Sequence, residues 1–396
     1  MLNVAIIGTG NIARLHIMAY LEFPKRCKIT HLVDIFPDRA EEKISSFKLE
    51  GAQVFDSHKK ILKDPTIDLV SICTPPYVHA EIAIDFLKAG KHVIVEKPMA
   101  ASLKECDAMI AAAKKSGKIL SPVAQNRFRS PVYNLKKTLD SGLIGKVVHA
   151  QIDSLWWRGH CYYDLWWRGT WEKEGGGCTL NHAVHHIDML GWMLGAPAKI
   201  SAIMSNTSHD NSEVEDISVA AMLYKAGERT AKGAMAQVTS SVIHHGEEQQ
   251  VILQGEHARI SAPWRIYAST SRPNGFPMQN KDLEAKLEKF YNGLPLLKHE
   301  GHPGQIDNVL TAIEKKTDYM VKPEEGRLTI ELITAIFKAS TEDKAVTLPI
   351  KKDDPYYTSE GLMSKVPRFY KKKASVNEFK GDITLGSEYN RISRKV

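Results

Sequence analysis

The 396-residue sequence contains few cysteines and no spacing that would pair them. Its five cysteines are scattered, and none stands in a Cys-x-x-Cys arrangement: Cys27, Cys73, Cys106, Cys161 and Cys178. An odd and dispersed set favours reduced thiols in a cytosol over a disulfide framework.

Long apolar runs are also missing. No run approaches the length needed to span a bilayer, and no signal peptide precedes the first predicted strand, which begins almost at Met1. From these absences we expect a cytoplasmic protein that has no membrane partner.

Clustered charge of one sign is scarce. The net charge is +7, but lysines and arginines are spread among acids, and the only basic cluster is Lys371–Lys373. This distribution gives little support to a nucleic-acid partner, whereas an anionic cofactor and a solvated surface account for it. With 43% hydrophobic and 25% charged residues, a chain of this length predicts two packed domains.

The sequence does contain a dinucleotide fingerprint at its start. An apolar run predicts a buried strand over Val4–Ile7 and leads directly into Gly8-Thr-Gly-Asn-Ile-Ala, which fits G-x-G-x-x-A. Gly8 permits the tight turn, and Gly10 lets the backbone approach a pyrophosphate. The helix that follows directs its first N–H groups, at Asn11 and Ile12, toward the phosphates.

An acid stands at the expected distance from these glycines. Asp34 ends a second predicted strand about twenty residues later, where a carboxylate hydrogen-bonds the ribose hydroxyls. A carboxylate repels a 2′-phosphate and no arginine directly follows it, so we expect NAD, with NADP less favoured. The alternative is an ordinary strand–helix turn followed by a chance aspartate.

The order of predicted elements separates two domains and a tail. Strands and helices alternate over residues 1–125, which is typical of a doubly wound parallel sheet, the Rossmann arrangement. Longer strands then follow one another over residues 126–350, which predicts an α+β domain with a large, open, mainly antiparallel sheet. Residues 351–396 are polar and lack periodicity. We expect this tail, including Phe379 and Tyr389, to pack on its own or a neighbouring subunit.

Two predicted strands of the first domain end in unusual residues. One stops at Thr74-Pro-Pro76, because prolines cannot continue a ladder, and another is followed by Glu96-Lys-Pro98. Ligands bind at this edge of an open α/β sheet. Lys97, aimed by the proline that follows it, could relay a proton to or from an alcohol. A plain surface lysine is the alternative.

A histidine-rich segment follows three glycines, Gly175–Gly177. A helix is predicted from Asn181 to Leu194, with Asn181 and His185 four residues apart on one face. His182 and His186 share the spacing of some metal ligands, but the metalloprotease glutamate and an obvious third ligand are missing. Metal-binding, capping and core histidines stay as alternatives to an alcohol-binding acid/base pair, and we predict no metal.

An aromatic loop lies between the first strand of the second domain and these histidines. This aromatic loop spans residues 156–171. It holds five of the seven tryptophans, and the unit Trp-Trp-Arg-Gly occurs twice within it. Aromatic rings stack on sugar C–H faces, while arginine and tyrosine reach hydroxyls. The alternatives are a subunit interface and single-stranded nucleic acid.

These motifs resemble those of the Gfo/Idh/MocA family of glucose–fructose oxidoreductase and inositol dehydrogenase. The resemblance spans roughly residues 1–350. It rests on Gly8–Ala13, Thr74–Pro76 with His79, Val95–Pro98, and Gly175–Gly177 leading to Asn181 and His185–Asp188. It implies a Rossmann domain, an α/β domain whose open sheet often forms the oligomer interface, and NAD(P)-dependent chemistry at a carbinol of a sugar, inositol or related polyol.

The resemblance also implies roles for individual residues. Lys97 is the expected catalytic lysine, His185 the histidine near the reacting hydroxyl, and Asn181 stands where many members carry an aspartate. Because an amide cannot accept a proton, the relay falls on Lys97 and His185, with His182 as a candidate substitute.

The expected cofactor contacts are Gly8, Gly10, Asn11, Ile12, Asp34, Thr74, Pro75, Pro76, His79, Glu96, Lys97, Gln125 and Arg168. The expected substrate contacts are Lys97, Arg127, Trp157, Arg158, Tyr163, Trp167, Asn181, His182 and His185.

The sequence therefore predicts an NAD-dependent sugar or polyol dehydrogenase that acts on CH–OH donors and forms a homo-oligomer, from dimer to hexamer. Two other functions stay open. One is a glycosidase that retains NAD and acts by transient sugar oxidation and elimination. The other is a non-catalytic NAD-binding sensor or scaffold.

Overall fold

The computed structural model describes residues 1–377, which form two compact units. The first comprises residues 1–129 and 297–330, and the second comprises residues 130–296 and the chain from Glu331 onward. No helix within residues 1–377 has both the length and the apolar character to cross a membrane.

The strands are β1 (Leu2–Ile7), β2 (Cys27–Val33), β3 (Gln53–Phe55), β4 (Leu69–Ile72), β5 (His92–Val95), β6 (Leu120–Pro122), β7 (Val147–Leu155), β8 (Lys199–Ser205), β9 (Ile217–Leu223), β10 (Thr230–Ser241), β11 (Gln249–Gly255), β12 (Ala258–Ala262), β13 (Arg265–Ser271), β14 (Pro277–Gln279) and β15 (Val346–Thr347). The helices are α1 (Asn11–Leu21), α2 (Pro37–Phe47), α3 (His79–Lys88), α4 (Leu103–Ser116), α5 (Ser130–Asp140), α6 (Cys178–Asn181), α7 (Val184–Leu194), α8 (Lys281–Asn292), α9 (Gly301–Lys315), α10 (Pro323–Glu342) and α11 (Ser359–Met363).

The first unit contains a six-stranded parallel sheet in the order β3-β2-β1-β4-β5-β6. This order confirms the predicted Rossmann arrangement. Its central strands are buried on both faces, since all four residues of β4 and the last four of β1 are buried. Reversal of strand order between β1 and β4 brings the carboxyl ends of β1, β4 and β5 to one edge, where the predicted cofactor residues stand.

Residues 297–330 belong to the first unit, whereas the sequence predicts them within the second domain. Helix α9 explains why. Gln305 accepts a hydrogen bond from the Ala124 backbone N–H (2.9 Å) and donates to the Pro122 carbonyl (2.7 Å). Val309 and its apolar neighbours on α9 join the core that contains Val4 of β1. Sequence position alone does not reveal such a return.

The second unit contains a nine-stranded sheet in the order β14-β13-β12-β11-β7-β10-β9-β8-β15. Among the strand pairs that residues 1–377 form in this sheet, only β7–β10 is parallel, which confirms the predicted, mainly antiparallel sheet. Strand β9 alternates strictly between buried and exposed residues after Ile217, so one face of the sheet is covered and the other is open.

The described part of the tail lies on the second unit of its own chain. The Val376 backbone N–H donates to the Asp164 carbonyl (2.8 Å), and the Trp166 N–H donates to the Val376 carbonyl (2.9 Å). The Trp171 indole donates to the Pro367 carbonyl (2.9 Å). The predicted packing of Phe379 and Tyr389 lies outside the described residues.

Candidate active site

The glycine turn after β1 has the geometry that a dinucleotide site requires. Gly8 has a φ of +84°, and a Cβ there would come within 2.9 Å of the Cys73 carbonyl, so a larger residue would not fit. Gly10 is different, because a Cβ at that position would meet nothing within 4 Å. The turn therefore packs closely on the sheet at Gly8 and leaves open space at Gly10, directly before α1.

Asp34 stands directly after β2 and is oriented by this turn. Its Oδ2 accepts hydrogen bonds from the Thr9 N–H and the Thr9 hydroxyl, each at 2.7 Å, and its Oδ1 accepts one from the Phe36 N–H (2.9 Å). The carboxylate is thus held beside the glycine turn. Its predicted contact with the ribose stays a prediction.

Two buried polar atoms at the same edge of the sheet have unmet hydrogen-bonding capacity. The Thr74 hydroxyl and the Gln125 Oε1 have no hydrogen-bond partner within the described chain. Buried polar groups are ordinarily paired, so these atoms fit a polar ligand placed between them and the open space above Gly10. The Thr74 hydroxyl, which can donate, and the acceptor oxygens of Gln125 and Asp34 suit the hydroxyl and amide groups of a dinucleotide.

His79 joins the two loops that border the edge. Its Nε2 lies 2.8 Å from the Thr74 carbonyl oxygen, and its Nδ1 lies 2.9 Å from the Pro98 carbonyl oxygen. Burial lowers the pKa of His79, while these two carbonyls oppose that effect. The histidine ties the Thr74–Pro76 loop to the Lys97–Pro98 loop.

Glu96 turns away from this edge into a buried polar network. It is 4% exposed and lies 2.9 Å from Nε2 of His16 and 3.4 Å from Nε2 of His302. Burial opposes ionisation, but these two imidazoles hold the pKa of Glu96 well below its usual range. The Glu96 Oε2 accepts the Lys97 N–H (3.0 Å), so a permanent charge anchors the backbone of the half-buried Lys97.

Arg127 lies inside the first unit. It is 1% exposed, and its Nη1 donates to Glu325 Oε2 at 2.9 Å. This ion pair fastens the start of α10 to the segment after β6. Its predicted substrate contact stays a prediction.

The structure corrects the single helix predicted from Asn181 to Leu194. Asn181 ends the short helix α6, and α7 begins at Val184. The Cys178 carbonyl accepts the N–H groups of both His182 and Ala183, which widens the turn and interrupts the helical ladder. Asn181 and the partly exposed His185 therefore do not share one continuous helix face.

Glu215, a buried carboxyl group, binds the backbone at the start of α6. It accepts the N–H groups of Gly177 and Thr179, both at 3.0 Å. Burial raises the pKa of Glu215 to about 7. Gly177 approaches this residue so closely that a Cβ would lie 1.8 Å from the Glu215 carbonyl oxygen, which accounts for the third glycine.

Glu174 brings several predicted site residues of the second unit together. Its Oε1 accepts from Asn181 Nδ2 and from Arg168 Nη1 (3.2 Å), and Arg168 Nη1 also donates to the Tyr162 hydroxyl. The Tyr162 hydroxyl lies 3.4 Å from His182 Nε2. Sequence reasoning missed Glu174, and its only local signal is an acid directly before Gly175.

The aromatic loop divides into buried and exposed members. Trp157 is 46% exposed and stacks on His245, while Arg158 lies over the Trp156 and Tyr162 rings. Trp167 is partly exposed, with the Arg168 guanidinium 4.3 Å from its ring centre.

Other predicted members of this site are differently placed. Tyr163 is 1% exposed and packs on His209, so its side chain belongs to the core of the unit. Within residues 1–377, no group of three potential metal ligands contains His182 or His186.

The sequence matches one family over most of its length. Residues 2–123 match the family described as an oxidoreductase with an NAD-binding Rossmann fold, and residues 136–348 match its C-terminal alpha/beta domain. The chain belongs to the Gfo/Idh/MocA oxidoreductase family. Residues 2–123 are its NAD-binding domain, and NAD is its cofactor.

Named relatives of this family member include two dehydrogenases. Levoglucosan dehydrogenase of Pseudarthrobacter phenanthrenivorans is 33% identical over 52% of this chain and 54% of its own length, so the match spans about half of that relative. Myo-inositol 2-dehydrogenase of Thermotoga maritima is 26% identical over 88% of this chain and 98% of its own.

A similar solved structure is the WlbA dehydrogenase from Bordetella pertussis in complex with NADH and UDP-GlcNAcA. It superposes with a TM-score of 0.75 at 25% identity and covers 88% of this chain and 98% of that one.

Proposed function

We propose that this family member is an NAD-dependent oxidoreductase that transfers hydride between nicotinamide and a ring carbinol carbon of a sugar, glycoside or inositol. The observation that carries the proposal is Lys97, whose backbone is held by the ionised Glu96 at the sheet edge that also presents the Gly8 turn. Relatives named for levoglucosan and for myo-inositol support this substrate class.

The proposed proton chemistry divides among three residues. Lys97 exchanges the proton of the reacting hydroxyl, and His185 and Asn181 orient its oxygen. The Asn181 amide can donate or accept a hydrogen bond, but it cannot take up a proton at neutral pH. The proton relay is therefore assigned to Lys97 and His185.

The substrate ring is assigned to the exposed part of the aromatic loop. Trp157 and Trp167 are accessible enough to stack on a sugar face, and Arg158 and Arg168 carry N–H donors for hydroxyls. For Arg168 the sequence predicts a cofactor contact, whereas the substrate contact is proposed here because its guanidinium lies over the Trp167 ring.

The open face of the nine-stranded sheet supports a homo-oligomer. Ile203 is 75% exposed and pairs with the exposed Val219, and Met235 pairs with the exposed Leu223. Such contiguous apolar residues favour a self-association surface. Sedimentation of the Ile203→Asp variant tests this: dissociation supports the surface, and an unchanged oligomer contradicts it.

A cytoplasmic location is also proposed. All five cysteines are free thiols and four of them are buried, which suits a reducing compartment. Cell fractionation with a compartment marker tests it.

The activity is tested by the absorbance of reduced nicotinamide. Purified protein and NAD are mixed with D-glucose, D-xylose, myo-inositol, and alkyl and aryl glucosides. Lys97→Ala is the test variant, and Lys104→Ala, at an exposed position on α4, is the matched control. We expect an increase with at least one compound that Lys97→Ala abolishes and Lys104→Ala retains.

Two other outcomes would contradict the proposal. Release of the aglycone without a net increase would indicate an NAD-retaining glycosidase. Bound NAD with neither signal would indicate a sensor or scaffold.

A further inference from the structure

Glu174 is a carboxyl group that the proposed reaction does not use. It lies in the turn before Gly175–Gly177 and is 2% exposed. A carboxylate in such a place is unfavourable unless charged or hydrogen-bonding groups surround it. The groups around Glu174 therefore show which interactions compensate for its burial.

Each hydrogen-bond partner of the Glu174 carboxyl group within the described chain is a donor. The Gly169 N–H donates to Oε2 (2.5 Å), while Arg168 Nη1 (3.2 Å) and Asn181 Nδ2 donate to Oε1. An ionised carboxylate satisfies all of them. A proton added to either oxygen would face at least one of these donors and weaken its contact.

These contacts orient two residues that are assigned to the substrate. Because Nδ2 of Asn181 points to Glu174, the Oδ1 acceptor lies on the other side of the amide group. The Arg168 guanidinium is held by Glu174 and by the Tyr162 hydroxyl, with its centre 4.2 Å from the Tyr162 ring centre. One carboxyl group thus fixes an acceptor and a donor.

The charge state of Glu174 is set by several neighbours. Burial raises its pKa to about 7, and Glu215 adds to this, whereas Arg168, the Gly169 N–H and Lys372 oppose it. The neutral side chains of Tyr162, Tyr163 and Asn181 also lie beside this carboxyl group. The contacts that fix Asn181 and Arg168 therefore strengthen as the pH rises through neutrality.

We propose that Glu174 is a positioning residue for the polyhydroxylated substrate, because its carboxylate sets the orientation of the Asn181 amide and the Arg168 guanidinium. This inference rests on the proposed function. The same carboxylate balances the charge of Arg168, so the site suits neutral hydroxyl groups.

The test compares Glu174→Gln with Glu172→Gln, its exposed neighbour in the same turn, on the panel compound with the highest turnover. For Glu174→Gln we expect an increase in KM for that compound of about tenfold, the usual effect of losing one charge-assisted hydrogen bond. The KM for NAD should stay unchanged. The wild-type pH profile of kcat/KM should contain an acid limb near pH 7 that Glu174→Gln lacks and Glu174→Asp retains. Glu172→Gln should match the wild type.

A double-mutant cycle separates positioning from general stability. Asn181→Asp places a second carboxylate against Glu174, so it should lower the Tm, and adding Glu174→Gln should restore part of the loss. Additive effects on Tm, or an unchanged KM and pH profile in Glu174→Gln, would overturn the inference.

Failure of the proposed function can be distinguished from failure of the positioning role of Glu174. An inactive wild type contradicts the proposed function, whereas the Tm cycle is measured without turnover and still decides whether Glu174 and Asn181 are coupled.

Discussion

Glu96 of the first unit and Glu174 of the second are both buried beside predicted site residues, and their pKa values are shifted in opposite directions. Glu96 lies between the imidazoles of His16 and His302, which hold its pKa well below the usual range despite its burial. For Glu174, burial dominates and raises the pKa to about 7, although Arg168 opposes it.

The two carboxyl groups therefore serve different purposes. Glu96 gives the Lys97 N–H an acceptor that is ionised at every physiological pH. The Lys97–Pro98 loop is therefore held in the same way across this pH range. Glu174 is shared among several donors and can change its charge near neutrality. The backbone at Lys97 in the first unit is thus preorganised, whereas the contacts of Glu174 with the aromatic loop change with pH.

The largest expected effect comes from removing the charge of Glu96. Glu96→Gln removes the carboxylate that the buried His16 and the partly buried His302 contact, so we expect the free energy of unfolding to fall by about 3–5 kcal/mol at neutral pH, the loss of two hydrogen bonds to a charged group. Urea unfolding checks this, with the exposed Glu41→Gln as control.

The pH dependence of the same variant has a defined sign. The ionised form of Glu96 is favoured in the folded state, so its contribution is present above the usual glutamate pKa of 4.5 and is lost as the pH falls below it. Glu96→Gln should lack that acid loss. An equal acid loss in both proteins would contradict the ionised state of Glu96 in the folded protein.

The second effect concerns the stability of Glu174→Gln as a function of pH. A carboxyl group whose pKa rises from 4.5 to about 7 on folding ionises first in the unfolded chain, so the wild type should lose about 3 kcal/mol between those pH values. Glu174→Gln should not show this loss. Thermal melts across this range check it, and parallel curves for the two proteins would contradict it.

A smaller effect is expected at Asp34. Asp34→Ala removes the acceptor for both Thr9 donors and the charge that repels a 2′-phosphate. We expect the KM for NAD to rise by about tenfold and the preference for NAD over NADP to fall. Steady-state kinetics with both cofactors measures it, with the exposed Asp38→Ala as control. An unchanged preference would show that Asp34 serves the turn alone.

The smallest effect comes from the tail. Lys372 Nζ donates to the carbonyls of Tyr163 and of Arg168 (3.0 Å), which ties the tail to the aromatic loop. Lys372→Met should weaken local stability there by about 1 kcal/mol and speed hydrogen exchange over residues 163–168. Lys371→Met, at an exposed neighbouring position, should not. Equal exchange rates in the two variants would contradict the anchoring role.

The two units also differ in how far the sequence predicts them. The Gly8 turn follows from a local requirement for positive φ and close approach, so a short motif predicts it. Glu174 depends on donors at Gly169, Arg168 and Asn181, whose spacing has no helical or strand period. No local pattern could have predicted their convergence.

Other features depend on long-range packing. The helix break after Asn181 results from the shared Cys178 carbonyl, which no residue preference indicates. The return of residues 297–330 to the first unit depends on Gln305, and His302 reaches Glu96 from that same helix. Such contacts join segments far apart in the chain, so only the fold reveals them.

The most direct test of the contrast between the two glutamates is the protonation state of Glu174. Infrared difference spectra between wild type and Glu174→Gln, recorded from about pH 5 to pH 9, isolate the carboxyl stretch of this residue. We expect a protonated-acid band of Glu174 that disappears as the pH rises, with a midpoint near pH 7, and no matching band for Glu96 in the Glu96→Gln difference. A Glu174 that is ionised throughout this range would contradict it.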